Sequence, residues 1–395
     1  MKKIIKTIFL IFIFIVIFCP ETIVARQDTK EVEQKLEQNV QSQLDKLDFS
    51  DAESVVEQLG IDVQGLFGSS SFSDKVEKVL NGDFIQDTNG FLNAFLKLLF
   101  EKILSLVPVL VSISVVAILC GLISQIKSGF VSDSTGQIVF FVCFSIIILL
   151  VITCATNLLN QTNQTIVLLK RQMNFAFPVL LTLMAGIGGV VSVKAYQPAV
   201  ALLSGGIVEI VSNVILPMFI FSFVFSIVAN LSKNVKLTKL TEFFKSATTT
   251  ILVVTFTLFT AFLSIQGLTA GAFDSISIRA AKFATKSYVP ILGGYLSDGF
   301  DLIMASSVLI KNSVGVAGLV LLVCTILSPI IQILSLSFGL KFVSAIIEPV
   351  TDEKITSFLY SVSKHLNMLI VAILAVSFMY FICIMLLIFT SNTFF

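Results

Sequence analysis

The chain contains several apolar segments that are each long enough to cross a lipid bilayer. A helix needs about 20 apolar residues to cross the ~30 Å hydrocarbon layer, and residues 103–124, 137–159 and 366–390 are clear examples. Only 13% of the residues are charged and 56% are hydrophobic, whereas about a quarter of the residues in a soluble domain are charged. The sequence therefore predicts an all-α, polytopic membrane protein with a membrane domain over residues 91–395.

The first 25 residues have the pattern of a secretory signal peptide. Lys2 and Lys3 give a positive start, an apolar core follows over residues 7–18, and Ala25 is a small residue at a plausible cleavage point. An uncleaved membrane anchor is the alternative. Because a positive N-terminus is retained in the cytoplasm, either interpretation puts residues 26–90 on the extracytoplasmic side.

Residues 26–90 are acidic and are predicted to form short helices. They contain six Lys or Arg residues against 14 Asp or Glu residues. Ser50 with Glu53, and Ser71 with Asp74, have the spacing of a helix-capping box. One apolar stripe precedes them, formed by Val32, Leu36, Val40, Leu44 and Leu47. About sixty residues can hardly bury a core of their own, so we expect these helices to pack on the outer face of the membrane domain or on a partner.

Residues that carry enzyme chemistry are scarce. The six cysteines all lie in apolar runs without a C-x-x-C pair. The single histidine, His365, has no other ligand at metal spacing and is expected at the membrane interface. Phosphate-binding loops, nucleophile elbows and zinc-protease motifs do not occur in the sequence. The sequence therefore predicts no enzyme activity, no cofactor, no metal and no nucleic-acid partner.

The apolar segment of residues 198–231 is too long for one straight span. Its length corresponds to about 50 Å of helix, so it forms either one kinked helix or two helices hinged near Pro217. With two helices the cytoplasmic loops carry nine Lys or Arg residues and the outer loops six, and with one helix the numbers reverse. The positive-inside rule therefore favours the split. Six spans are clear, with seven or eight if this segment splits or the region after Pro290 crosses.

Residues 266–318 combine charge, glycine and proline between two apolar segments. A basic amphipathic helix ending near Pro290 is predicted from four residues at helical spacing: Ser275, Arg279, Lys282 and Lys286. The apolar run that ends at Lys311 is too short to cross. Residues 272–313 are therefore predicted to be amphipathic and re-entrant or broken. Close helix packing is predicted at the paired glycines Gly267, Gly271, Gly293 and Gly294.

Polar residues at membrane depth are the candidate functional residues. Glu209 and Asn213 lie four apart on one helical face. A carboxylate inside a membrane helix faces either a polar pathway or a contact with another helix. We predict that a polar pathway or gate is formed by these two residues together with charged residues of the 266–318 segment, namely Asp274, Arg279, Lys282, Asp298 and Asp301.

The chain resembles the stage III sporulation protein AE family of endospore-forming Firmicutes. The resemblance extends from about residue 90 to the C-terminus and is densest over QGLTAGAFDSISIRAAKFATKSYVPILGGYLSDGFDLIMASSVLIKNSVGVAG, residues 266–318. It implies a subunit of a secretion-like channel complex that links mother cell and forespore. Such a complex is needed for activation of the late forespore sigma factor and for spore development. The family has no established catalytic residues.

The same resemblance implies a location and partners. The location is the mother-cell membrane around the forespore. The expected partners are other subunits of the stage III sporulation channel complex, a YidC-type membrane insertase and membrane lipids, in an oligomeric assembly.

Two other functions fit the same residues. A stand-alone secondary transporter is suggested by self-similarity, because residues 177–189 and 289–294 both place a proline before apolar residues and paired glycines. A non-conducting structural platform would use its spans only to anchor other channel subunits.

Overall fold

The computed structural model describes residues 30–59, 64, 66–67, 71–82, 88–130, 133–231, 237–288 and 293–392. Helices are the only regular structure in these residues, which confirms the predicted all-α class. The predicted signal peptide, residues 1–25, and Pro290 lie outside the described part of the chain.

Three short helices precede the long ones. They are α1 (Lys30–Leu44), α2 (Ser50–Gln58) and α3 (Phe72–Leu80). The long helices begin with α4 (Thr88–Phe130) and α5 (Asp133–Gly186). Next comes α6, one continuous run made of Val190–Ala201, Leu202–Ile207, Val208–Ile210, Val211–Ile215 and Leu216–Leu231. The last three are α7 (Thr238–Tyr288), α8 (Gly293–Ile347) and α9 (Glu353–Asn392).

Six helices in the described residues, α4 to α9, are long and apolar enough to cross a membrane. In lipid the backbone N–H and C=O groups must bond within the segment, and a helix satisfies them. The chain is therefore a multi-pass membrane protein. Several of these helices exceed one bilayer, since the 55 residues of α8 correspond to about 80 Å at 1.5 Å per residue.

The sequence predicts separate spans at residues 137–159 and 175–193, with a polar stretch between them. Helix α5 instead runs without a break from Asp133 to Gly186 and includes this polar stretch. Within this stretch the Thr162 and Thr165 hydroxyls donate to carbonyls four residues earlier in α5. The Gln172 amide donates to the Thr325 hydroxyl of α8, with 2.6 Å between Nε2 and Oγ1. These bonds give each of the three side chains a partner inside the bundle, although the buried Gln172 Oε1 has none among the described residues. The helix continues through this stretch and past Pro178.

Helix α6 is continuous, so residues 198–231 form the first of the two predicted alternatives, a single helix, and the split favoured by the positive-inside rule does not occur. Its irregular parts are two π-helical segments, Leu202–Ile207 and Val211–Ile215. Proline lacks an N–H and clashes with the carbonyl four residues earlier. The wider π turn immediately before Pro217 relieves that crowding without ending the helix.

Helix α8 is also continuous from Gly293 to Ile347, so the apolar run that ends at Lys311 is not a separate short segment. Helix α7 ends at Tyr288, and residues 289–292 lie outside the described part of the chain. Lys311 looked like the end of an apolar run, but it is fully buried inside the bundle. Its Nζ donates to the carbonyls of Leu387 and Ile388 in α9, at 2.8 and 3.0 Å.

Helices α8 and α9 form the centre of the bundle. They are the most buried of the six long helices and run antiparallel, because Ser344 bonds to Thr356 whereas Lys311 bonds to Leu387. Helices α4 and α5 pack on α8, and α5 also packs on α9. Helices α6 and α7 pack on each other and on α9. His365 lies in α9 and is buried.

The short N-terminal helices pack against the membrane helices. Helices α1 and α3 contact α8, and α2 contacts α5. Gln43 of α1 bonds to both Ser306 and Ser307 of α8, at 2.9 and 2.7 Å. The ring of Phe72 lies edge-on to Phe175 of α5, with 5.4 Å between ring centroids.

The two predicted capping boxes differ in outcome. Ser71 caps α3 as predicted, because its Oγ accepts the Asp74 N–H at 3.0 Å. Glu53 does not cap its own helix; its carboxylate accepts the N–H groups of Phe72 and Ser73 instead. At the start of α2, Asp48 accepts the Ser50 N–H at 2.9 Å, and this bond lowers the pKa of the Asp48 carboxyl.

The contact of α4 with the α8–α9 connection depends on Gly121. A side-chain Cβ there would overlap the backbone carbonyl of Val350. We expect Gly121→Ala to lower the free energy of unfolding by about 1–3 kcal/mol, the usual cost of overpacking. Thermal unfolding of the detergent-solubilised protein measures this.

Gly299→Ala is the matched control, because a Cβ at Gly299 meets no atom within 4 Å. In a helix this change stabilises by about 0.5–1 kcal/mol. Equal effects of the two substitutions would contradict the packing assignment.

Candidate functional site

Asp274 ties α7 to the beginning of α6. Its Oδ1 accepts the Val191 N–H at 2.9 Å and its Oδ2 accepts the Ser192 N–H at 2.7 Å. The first N–H groups of a helix lack partners within the helix, and a carboxylate there also interacts favourably with the helix dipole. The Asp274 side chain is buried. It therefore acts as a helix cap supplied by a distant part of the chain.

The turn before α6 is shaped to meet the same region of α7. Gly188 has a φ of +89°, a conformation that side chains disfavour. A Cβ at Gly188 would lie 3.1 Å from the Ile278 side chain. Ile278 also belongs to a small buried cluster with Ile187 and Met304. The end of α5, the start of α6, α7 and α8 therefore meet at one point.

Lys282 and Asp301 link α7 to α8. Their Nζ and Oδ1 atoms are 2.5 Å apart, and both side chains are partly exposed. Arg279, one turn before Lys282, is exposed. Asp298 lies in the first turns of α8, and its side chain is outside the described part of the structure. Asp301 therefore forms an ion pair between helices, and its predicted pairing with Asp298 stays a prediction.

Glu209 and Asn213 form a second cluster with a partner that sequence reasoning did not identify. The Lys170 Nζ of α5 lies 2.6 Å from Glu209 Oε1, and the Asn213 amide donates to Glu209 Oε2 at 2.7 Å. Both charged side chains remain substantially exposed. The cluster lies at the junction of the two π-helical segments, and π turns occur frequently at functional sites.

The structure does not unite the predicted polar residues in one place. Asp274 contacts Ser192, whereas Glu209 lies seventeen residues further along α6, which is about 25 Å at 1.5 Å per residue. The polar residues instead lie at separate places. Asp274 lies against the start of α6, Lys282 pairs with Asp301 between α7 and α8, and Lys170 lies with Glu209 and Asn213. Arg279 is exposed on α7.

Close helix packing also occurs at two glycines that the sequence prediction did not include. Gly271 is buried, and the surroundings of Gly267, Gly293 and Gly294 lie outside the described part. Gly315 of α8 instead lies against Ile388 of α9, and Gly339 lies against Leu110 of α4. Isolated glycines without a G-x-x-x-G partner gave no signal in the sequence.

Metal binding has no support in the described residues, where no group of three or more His, Cys, Asp or Glu side chains could hold an ion. The polar clusters described above consist of ion pairs, helix caps and amide contacts between helices. Such groups orient and connect helices, and they can also bind charged partners.

Taken together, these contacts define a polytopic helical membrane protein with an acidic helical segment attached to its long helices. Residues 70–391 match the family described as Stage III sporulation protein AE, and this match includes α3 and all six long helices. The chain therefore belongs to the stage III sporulation protein AE family, as the resemblance in its sequence indicated.

One relative bears the name of this family. The chain is 27% identical over 313 residues to Stage III sporulation protein AE of Bacillus subtilis (strain 168), which covers 79% of this chain and 78% of the relative. No solved structure matches the chain.

The Asp274 cap makes a stability prediction. We expect Asp274→Ala to lower the free energy of unfolding by about 1–2 kcal/mol, because it leaves the N–H groups of Val191 and Ser192 at the start of α6 without their acceptor. Asp274→Asn keeps one acceptor oxygen and should lower the free energy of unfolding by a smaller amount. Thermal unfolding in detergent measures both changes.

Arg279→Ala, five residues further along α7 and exposed, is the control and should leave the unfolding temperature nearly unchanged. If Asp274→Ala were no more harmful than Arg279→Ala, the capping role would be refuted.

Proposed function

We propose that this protein is a membrane subunit of the multiprotein channel complex that links mother cell and forespore during sporulation. In this role it supports activation of the late forespore sigma factor and spore development. The observation that carries the proposal is the family match over residues 70–391, because it includes both the membrane bundle and part of the acidic segment. The proposed location is the mother-cell membrane around the forespore.

The arrangement of the helices supports one orientation in the membrane. The ends of α4, α6 and α8 that lead into the α4–α5, α6–α7 and α8–α9 connections share one end of the bundle. Thr351, after α8, bonds to Ala117 of α4, and Ser226 of α6 bonds to Ser361 of α9. The sequence of this end includes Lys127, Lys233, Lys236 and Lys354. The positive-inside rule makes it cytoplasmic. The acidic helices α1 and α3 pack near the opposite half of α8 and then lie outside the cytoplasm.

The position of the charges supports a conduit between subunits instead of one through a single chain. The centre of the bundle is filled by apolar side chains of α8 and α9, including Leu321, Ile333, Ile373 and Val376. Lys170, Glu209 and Arg279 are on the outside of the bundle. Charged groups on a membrane helix need protein or water around them. We infer that the other subunits of the complex surround these charged side chains.

Replacement of the chromosomal gene tests this role. Lys170→Glu and Glu209→Lys each put two like charges together, and we expect each to lower the yield of heat-resistant spores and the signal of a late forespore sigma-factor reporter. The double exchange restores the pair and should recover both towards the unmodified level. Lys194→Glu, at an exposed lysine of α6, is the control.

Two results would contradict the proposal. A strain without the gene that completes sporulation normally would exclude the role. Solute flux by the purified protein alone in liposomes, without other subunits, would favour a stand-alone transporter.

A further inference from the structure

A groove with an acidic rim lies between α1 and α3. It has a volume of about 360 Å³ and is lined by Glu37, Gln38, Val40, Gln41, Leu44, Glu77, Leu80 and Asn81. Val40, Leu44 and Leu80 form an apolar floor that is buried or half-buried, whereas Glu37 and Glu77 are exposed at the rim. This arrangement suits a helix that presents apolar side chains beside a positive charge.

The last turns of α7 present such a face. Phe273, Ile276 and Phe283 are 62%, 67% and 71% exposed. They share one side of the helix because they are spaced three and seven residues apart. The opposite side is buried through Asp274 and Ile278. Arg279 is exposed and lies between Ile276 and Phe283 in the sequence, at the edge of the apolar face.

The groove and this face lie at the same height of the bundle but on different flanks of α8. Lys282 of α7 pairs with Asp301, whereas Gln43 of α1 bonds to Ser306. These two α8 residues are about 8 Å apart along the helix and roughly 140° apart around it. One chain therefore cannot fill its own groove with its own α7, whereas two copies side by side can make the contact.

We propose that the outer face of the α7 end, residues 273–283, docks into the α1–α3 groove of a second copy of this chain. The Phe and Ile side chains cover the apolar floor, and Arg279 approaches Glu37 and Glu77. Each copy has one groove and one such face on different flanks, so the contact is head-to-tail. Contacts of this type form rings when the rotation between copies closes. The contact goes beyond the proposed function and does not depend on it.

Charge favours protein over lipid as the occupant of the groove. The groove is part of a segment with 14 acidic and six basic residues, and it would be repelled by the anionic lipids that attract basic helices. A bilayer can cover the face of α7, but it leaves the groove empty. A second copy covers both surfaces at once.

Crosslinking of the full-length protein in membranes tests the contact. In a background without native cysteines, Glu77→Cys and Phe283→Cys are combined and treated with a bismaleimide. We expect a ladder of dimers and larger products. Each single cysteine variant should remain monomeric. Glu77→Cys with Phe243→Cys, an exposed phenylalanine near the other end of α7, should also give no ladder.

A charge-exchange experiment provides an independent second readout. Arg279→Glu should raise the dissociation constant of the detergent-solubilised oligomer about tenfold or more, because like charges then face each other. Glu37→Lys in the same chain should reverse most of that loss. Helical circular dichroism and thermal unfolding verify that the variants are folded.

Several outcomes would overturn the proposal. They are the absence of crosslinked products, equal crosslinking in the Phe243 control, and charge reversals that leave the dissociation constant unchanged. Products that stop at dimers would exclude the head-to-tail arrangement. A maleimide dissolved in the lipid would label Phe283→Cys if lipid covers this face. A labelling rate that does not change with the protein density in the membrane would therefore assign the face to lipid.

Discussion

The antiparallel pairing of α8 and α9 is the contact on which the other helices depend. Hydrogen bonds join the two helices at three positions along their length. They link Ser344 to Thr356, Ser337 to Asn367, and Lys311 to the carbonyls of Leu387 and Ile388. A buried ammonium group is costly unless it is hydrogen-bonded, and the last turn of a helix provides carbonyls at the negative end of its dipole. Because this pair forms the buried centre, α4, α5, α6 and α7 all pack around it.

Polar side chains in this bundle act chiefly as connectors between helices. Association of helices in lipid lacks a hydrophobic driving force, so close packing and hydrogen bonds between helices carry more of the energy. Gln172 reaches Thr325, Asp274 caps α6, and Lys282 meets Asp301. The cluster of Lys170 and Glu209 differs, because both side chains are exposed on the outside of the bundle. It is therefore the polar cluster best suited to meet another protein.

The acidic N-terminal helices belong to the same packed unit as the membrane helices. Their apolar residues are too few for an independent core, and they use α8 and α5 as the rest of it, through contacts such as Phe72 with Phe175. Glu53 illustrates the difference between local and tertiary structure. Its spacing from Ser50 predicts a capping box, but its carboxylate caps α3 instead, because α3 folds back against α2 and offers unpaired N–H groups.

The sequence by itself determined the helical class, the multi-pass membrane character and the family, since apolar length and composition suffice for the first two. Tertiary structure decided where helices continue. Lys311 and the polar stretch of α5 look like span boundaries in sequence, but Lys311 bonds to α9 and Gln172 bonds to α8 inside the bundle. It also decided the partners of Asp274 and Glu209, which lie 83 and 39 residues away in the chain. Periodicity describes one helix at a time, whereas such pairings depend on how separate helices meet.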